Sequence, residues 1–274
     1  MHLSQAQVSN YQENGYLFPL DLAESLDMKK IKSDFDRLQV LQPPSGINKP
    51  MAGYLRQNAQ YLFPLINQIA LFPDLLDKVE SILGDTLLLY SAEFFIKEPQ
   101  TNKVVTWHQD LTYWGLGETD DEITAWVALS DVNVESGCMQ FIAGSHKNRI
   151  LPHQDSYSEN NLLSRGQEIA IEIDEKQAVN IELMPGQVSF HHGRIFHASG
   201  PNRSHNQRIG LALRYIKPSV QQQFNDHDYA ILARGQDQSE HWRYVKPPKE
   251  NFDPDNFNQY HDILAEQKKI LMRV

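Results

Sequence analysis

The sequence predicts an α+β fold, a helical first third followed by a β-core, and three observations carry the prediction. Up to Gly84 apolar residues recur at helical spacing. From Thr86 the texture becomes β-branched and aromatic, in short runs punctuated by Gly, Pro, Asn and Asp. Helices first and strands after is the order of a fold whose strands share one core. The chain has 274 residues, 41% of them hydrophobic, enough for one large β-sandwich or barrel. It shows no internal repeat or low-complexity stretch. One domain is expected over 1–274: a helical part over about 1–84, a β-core over about 85–217 and a C-terminal extension over about 218–274.

Taken in order, Ser4 is placed to cap a short first helix and Gly15 to stop it. Tyr16 to Leu20 reads as a strand. Leu22 to Leu41 reads as a helix, with Leu26, Met28, Ile31, Phe35 and Leu38 on one stripe, and Pro43-Pro44-Ser45-Gly46 breaks it. Gln57 to Leu71 and Asp74 to Leu83 are two further helices, the first interrupted by Pro64, the second ended by Gly84. The strand-like runs are Thr86 to Ile96, Val104 to His108, Ile123 to Leu129, Val179 to Leu183, Gln187 to His192 and Arg208 to Ile216. A last helix is expected from Gln259 to Met272.

Composition excludes several classes. The net charge of -10 with no dense Lys/Arg block argues against nucleic acid as a partner. The single cysteine, Cys138, permits no intramolecular disulfide. The first residues are polar, without the charged start and apolar run of a signal peptide. No run of about 18 apolar residues offers a membrane span. The expected location is cytoplasmic and the expected partner a small-molecule substrate; oligomeric state is not legible.

The residues that carry chemistry are His108, Gln109 and Asp110. In extended chain, residues i and i+2 share a face, so His108 and Asp110 can reach one metal ion while Gln109 turns away. Two such ligands plus a distant histidine make the 2-His-1-carboxylate face of non-haem iron oxygenases, which leaves half the metal open for reagents. His197 follows the turn Met184-Pro185-Gly186-Gln187 and the next strand, but His191 and His192 lie close by. Spacing does not choose among the three.

Three segments resemble the phytanoyl-CoA dioxygenase family: Trp107-His108-Gln109-Asp110, Gly137 to Lys147, and His197-Ala198-Ser199-Gly200-Pro201-Asn202-Arg203-Ser204 closing on Arg208. The resemblance runs from about Leu17 to Pro218. It implies a double-stranded β-helix (jelly-roll, cupin-like) core, Fe(II) and O2, and 2-oxoglutarate as cosubstrate. It also implies His197 as the third ligand, because the family's distal histidine is followed by x-Ser-x-x-Asn. On this reading Arg208 pairs with the outer carboxylate of 2-oxoglutarate, a task suited to a planar guanidinium. Ser199 supplies a hydroxyl to the same carboxylate, and Trp126 lines the pocket. The implied reaction is hydroxylation of a C–H bond with release of succinate and CO2. Asp110 disfavours halogenation, for which some relatives carry Ala or Gly at this position.

Tyr113 and Trp114 lead into an acidic, glycine-containing loop reaching Glu122, a candidate lid over substrate. Lys97 is a candidate contact to an anionic substrate or cosubstrate group, and Tyr54 and Arg56 are candidates for the mouth. The acidic chain favours a small polar or zwitterionic metabolite, such as an aminophosphonate, amino-acid derivative or natural-product intermediate, over an acyl-CoA. A non-catalytic metal-binding jelly roll would need no cosubstrate arginine, and a zinc hydrolase would need neither O2 nor 2-oxoglutarate. A serine-hydrolase reading fails for want of a G-x-S-x-G elbow. Trp242, Tyr244 and Phe252 in the C-terminal stretch suit either closure over the site or a dimer contact.

Overall fold

In the computed structural model, which describes residues 1–44, 49–156, 160–163 and 167–271, helix α1 (Gln5–Asn14) begins on a reciprocal capping box between Ser4 and Gln7. Gly15 ends it in the left-handed conformation, φ 79°. Strand β1 (Tyr16–Asp21) follows. Helix α2 (Met28–Gln39) starts later than periodicity suggested: Asp27 accepts from Lys30 N–H and sets the boundary, leaving residues 22–27 outside the helix. Its stripe Ile31, Phe35 and Leu38 is buried as expected. The breaker Pro43-Pro44 precedes Ser45-Gly46, which lie outside the described residues. Helix α3 (Met51–Leu55) was missed. The expected helix over 57–71 is instead a 3-10 turn at Ala59–Tyr61 and helix α4 (Pro64–Ala70). Pro64 starts that helix rather than interrupting it, since a first-turn residue needs no intrahelical N–H partner. Helix α5 (Pro73–Leu83) ends at Gly84.

The strands are β2 (Leu87–Lys97), β3 (Val105–His108), β4 (Glu122–Ala128), β5 (Met139–Ile142), β6 (His153–Asp155), β7 (Gln167–Ile169), β8 (Ala178–Ile181), β9 (Gln187–His191), β10 (His197–Ser199), β11 (Arg208–Ile216), β12 (Asp228–Arg234) and β13 (Trp242–Tyr244). A seven-stranded sheet has the order β1-β9-β4-β11-β2-β12-β13, and a four-stranded sheet the order β3-β10-β5-β8. The strands pair antiparallel except β12 with β13. The two sheets form the double-stranded β-helix. The β-core extends beyond the expected limits at both ends, because β1 and β12 join the large sheet. Helix α6 (Pro254–Leu271) closes the chain, starting before the expected Gln259; Met272 lies outside the described residues. No helix among the described residues is long and apolar enough to cross a membrane.

Period-two alternation decides what each sheet face does. On β11, Ile209, Leu211, Leu213 and Tyr215 join the main core with Ile31, Phe35, Leu75 and Val79 of the helices. The intervening Arg208, Ala212 and Arg214 instead line a pocket between the sheets. On β4, Ile123, Ala125 and Val127 face the helices while Thr124 and Trp126 line that same pocket. Both faces of the large sheet are therefore covered, and its inner face carries polar groups in a buried setting.

Candidate metal and cosubstrate site

The metal candidates meet because β10 pairs with β3 in a register that sets His197 opposite His108. Strand β3 ends at His108, two residues short of a continuous His-x-Asp strand, and Asp110 opens a 3-10 turn. Gln109 nevertheless keeps an extended backbone (φ -120°, ψ 126°), so Asp110 still comes round to the His108 side. Gln109 turns away as expected and works there. Its amide nitrogen donates to the Arg149 and Arg194 carbonyls and its oxygen accepts from Leu151 N–H.

His108 Nε2 lies 3.2 Å and His197 Nε2 3.7 Å from Asp110 Oδ1. One ligand atom from each residue falls within 4.8 Å of the others, and all three residues are buried. Nδ1 of His108 is 2.8 Å from the Thr106 carbonyl and Nδ1 of His197 is 3.1 Å from the Ile195 carbonyl. A carbonyl only accepts, so each Nδ1 carries a proton and leaves Nε2 facing inward toward Asp110. Burial and the neighbouring His108 hold His197 well below the usual imidazole range. Burial opposes ionisation of Asp110, but the Arg214 charge and the bond to His108 hold its carboxyl well below the usual carboxylate range. Two imidazole nitrogens and one carboxylate are the donor set a divalent iron ion takes.

His191 and His192 separate from this set. His191 lines the pocket with its Nε2 4.0 Å from Asp110 Oδ2, and burial drops its pKa to about 4. His192 points elsewhere, 3.1 Å from Asp120, and accepts from Arg194 N–H.

The pocket beside the triad has a volume of about 410 Å³. Arg208, only 1% exposed, opens into it with Nε and Nη2 unpartnered. Its guanidinium lies 5.4 Å from the Trp126 ring centre. Two buried N–H groups without acceptors are costly unless a ligand supplies the oxygens, so the residues fit a carboxylate. Gly210 makes room for Trp126: a Cβ there would sit 1.7 Å from Cζ2 of the ring. Ser199 lines the same pocket, and its Oγ accepts from Lys97 Nζ at 2.7 Å.

Of the two roles the sequence left open for Lys97, contact to a substrate or to a cosubstrate group, its place is away from the substrate cleft. It is 1% exposed, lines neither cavity described here, and also donates to the Ser199 and Gly200 carbonyls. It belongs to the cosubstrate side, and pairing of β2 with β11 sets it directly beside Arg208. Tyr54 is likewise core rather than mouth, fully buried against Phe252, Phe257 and Tyr260.

Tyr113, Trp114 and Arg56 do meet in one place, an outer cleft of about 1750 Å³ including its open mouth. Tyr113 stands 6.2 Å ring to ring from His108. Trp114 stacks under the Arg214 guanidinium at 4.8 Å. Sequence reading missed a charge chain on its floor. Arg56 lies 3.6 Å from Glu93, Arg214 lies 2.7 Å from the same carboxylate, and Arg214 Nε lies 3.6 Å from Asp110 Oδ2. The signal was available, since Arg214 shares the parity of Arg208 on one strand. Helix α6, which the sequence led one to expect from Gln259 onward, adds Leu264, Gln267 and Lys268 to the cleft wall. Trp242 packs behind Tyr90, which lines the cleft, while Phe252 packs on Tyr54 in the core. The acidic loop is tied down, with Glu118 bound to Arg149 and Asp120 to Arg194.

Three ligand residues between two sheets, with a buried arginine lacking acceptors beside them, fit a metal that keeps positions open for reagents and a carboxylate cosubstrate next to it. The enzyme is accordingly a non-haem Fe(II), 2-oxoglutarate-dependent dioxygenase. Within that class the chain belongs to the phytanoyl-CoA dioxygenase family, whose model matches residues 11–210. The peroxisomal phytanoyl-CoA dioxygenase of Rattus norvegicus is 25% identical over 231 residues, covering 78% of this chain and 68% of the relative. A probable alpha-ketoglutarate-dependent hypophosphite dioxygenase of Stutzerimonas stutzeri is 26% identical over 162 residues, 58% of this chain and 55% of the relative. Among solved structures, the non-heme monooxygenase ThoJ in its apo form is 29% identical with a TM-score of 0.85, covering 97% of this chain and 98% of ThoJ.

Proposed function

We propose that the enzyme hydroxylates a C–H bond of a small polar or zwitterionic metabolite, with succinate and CO2 as coproducts. His108, Asp110 and His197 are the metal ligands on this reading. Arg208 and Ser199 hold the outer carboxylate of 2-oxoglutarate against Trp126. Bound iron supplies O2 activation coupled to decarboxylation of the cosubstrate. The protein's own part is positional: the Thr106 and Ile195 carbonyls orient the imidazoles, Arg214 keeps Asp110 ionised, and Trp126 dries the carboxylate pocket.

The observation that carries the substrate class is the outer cleft. Charges of both signs, Arg56, Glu93 and Arg214, lie on its floor, with Gln57, Asn58 and Gln267 around them and Tyr113 and Trp114 toward the metal. Those charges pair with one another, but a long branched acyl chain would strip water from them and return no polar contact. A compact molecule with charged or hydrogen-bonding groups replaces that water. Some oxygenation chemistry is also suggested by the likeness to ThoJ, a non-heme monooxygenase, which spans nearly the whole chain.

The test is succinate release from 2-oxoglutarate with Fe(II) and O2 against aminophosphonates, quaternary-ammonium solutes, amino acids and acyl-CoAs. Stimulation by a compact polar compound, with a hydroxylated product by mass spectrometry, supports the proposal. Stimulation by acyl-CoAs alone replaces it with an acyl-CoA hydroxylase. No binding of 2-oxoglutarate in the presence of metal returns the chain to a non-catalytic jelly roll.

A further inference from the structure

We propose that Lys97 is a positioning residue for the cosubstrate, fixing the Ser199 hydroxyl so that its proton points at the carboxylate held by Arg208. The inference rests on the reading of Arg208 and Ser199 given above and adds a residue to it.

Pairing of β2 with β11 puts Lys97 directly beside Arg208. Residues opposite each other in a ladder project to the same side, so both cations point to the inner face. The Lys97 ammonium meets three acceptors, all from one short segment: Ser199 Oγ at 2.7 Å, the Ser199 carbonyl at 3.1 Å and the Gly200 carbonyl. An ammonium has three N–H groups and a neutral amine two, so only the charged form satisfies all three. The charge is then spent on the segment rather than offered to a ligand. A serine oxygen that accepts a bond from a cation has its own proton left over, and that proton is the one hydroxyl donor Ser199 can give the pocket. Its side of the pocket also holds the unpartnered Nε and Nη2 of Arg208.

The electrostatics tie this charge to an anion on Arg208. No ion pair among the described residues joins Lys97 or Arg208 to a carboxylate. Burial and the Arg208 charge pull Lys97 down to about 6. A carboxylate seated on Arg208 offsets the second cause and returns Lys97 toward its charged form. The ligand chemistry that completes this arrangement is the outer carboxylate of a 2-oxo diacid, as opposed to a 2-oxo monoacid.

The experiment compares two probes by calorimetry on the full chain loaded with Mn(II), so that turnover plays no part. The probes are 2-oxoglutarate and 2-oxobutyrate, which keeps the 2-oxo acid end and lacks the outer carboxylate. Lys97→Met and Ser199→Ala are each expected to weaken 2-oxoglutarate by about 10- to 100-fold, the range of a lost charge-assisted hydrogen bond. Both are expected to leave 2-oxobutyrate within about threefold of wild type, and the double variant to match Lys97→Met, because the pair acts as a unit. Equal weakening of both acids by Lys97→Met, or full additivity in the double variant, overturns the proposal. If Lys97→Met does not fold, Lys97→Gln keeps two N–H donors without the charge and is judged by the same selectivity. Arg208→Met separates the two levels of inference. Selective loss of 2-oxoglutarate there, with none in the Lys97 variants, sinks the role of Lys97 alone. No loss in Arg208→Met sinks the carboxylate reading beneath it.

Discussion

Replacing Arg208 by methionine is expected to move stability and ligand binding in opposite directions. Arg208 is 1% exposed, and burial lowers its pKa from 12.5 to about 10. At about 1.4 kcal/mol per pKa unit, holding that charge in the protein costs on the order of 3 kcal/mol. The side chain is buried, so solvent screening takes little off this figure. Methionine fills a similar elongated volume and adapts to irregular walls. Without 2-oxoglutarate, Arg208→Met is therefore expected to be more stable than wild type by about 1–3 kcal/mol in urea unfolding, after allowing for imperfect packing. With 2-oxoglutarate and Mn(II) the order reverses. Each charge-assisted bond contributes about 1.5–3 kcal/mol, and loss of those from Nε and Nη2 lowers affinity by about 10²- to 10⁴-fold. The ligand-induced rise in melting temperature should then vanish at concentrations that saturate wild type. A variant that is less stable without ligand and still shows the wild-type shift would refute the reasoning, because Arg208 would then be a structural ion with a partner.

The metal assignment makes a sharper comparison than alanine at one ligand. His108→Ala, Asp110→Ala and His197→Gln should each abolish turnover and weaken Mn(II) by at least about 100-fold, more than a supporting residue costs. His191→Gln should stay within a few-fold by the same titration, and the reverse pattern for His191 and His197 would reassign the third ligand. Gly210→Ala should drive the Trp126 ring off Arg208, since its Cβ would lie 1.7 Å from the ring. A loss of about 1–3 kcal/mol or more in urea, with a shifted tryptophan emission, is expected, and neither change would mean that β11 has slack. Glu122 is pushed up to about 8 by burial, with the Asp110 charge adding. A folded-state value above the ordinary 4.5 contributes stability that is complete below about 4.5 and lost as pH rises through about 8. Wild-type stability should therefore fall more than that of Glu122→Gln between about pH 5 and about pH 9, as read from urea midpoints, and parallel slopes would place Glu122 among ordinary ionised carboxylates.

What was legible in the sequence followed from short-range rules. Ser4 with Gln7, Asp27 at its own helix start, and Gly84 after Leu83 are local signals, and those a reader applied came out at the right places. The misreadings were also local. Pro64 breaks a helix only when its N–H would have had a partner, and at the first position of α4 it does not. The strands β5, β10 and β13 are only three or four residues long, and β12, at seven, lies in a stretch whose polar surroundings read as extension rather than sheet.

The site divides along the same line. Alternation in an extended chain puts His108 and Asp110 on one face, and the family resemblance, also carried by the sequence, points from there to the class of chemistry. The choice of His197 over His191 and His192 needed either a family pattern or the β3–β10 register, because three histidines within seven residues look alike until a partner strand says which one faces the metal. The charge chain through Arg56, Glu93 and Arg214 joins α3, β2 and β11, and no local rule links positions so far apart. Lys97 shows the same thing from the other side: as a sequence feature it is a lysine at a strand end, ordinarily solvated. Only the pairing of β2 with β11 and the turn after β10 bury it, put it beside Arg208, and give its three N–H groups the Ser199 and Gly200 oxygens to hold. Local propensity specifies ligands that share a strand, whereas groups that act across strands are specified by register, which exists only once the sheets have closed.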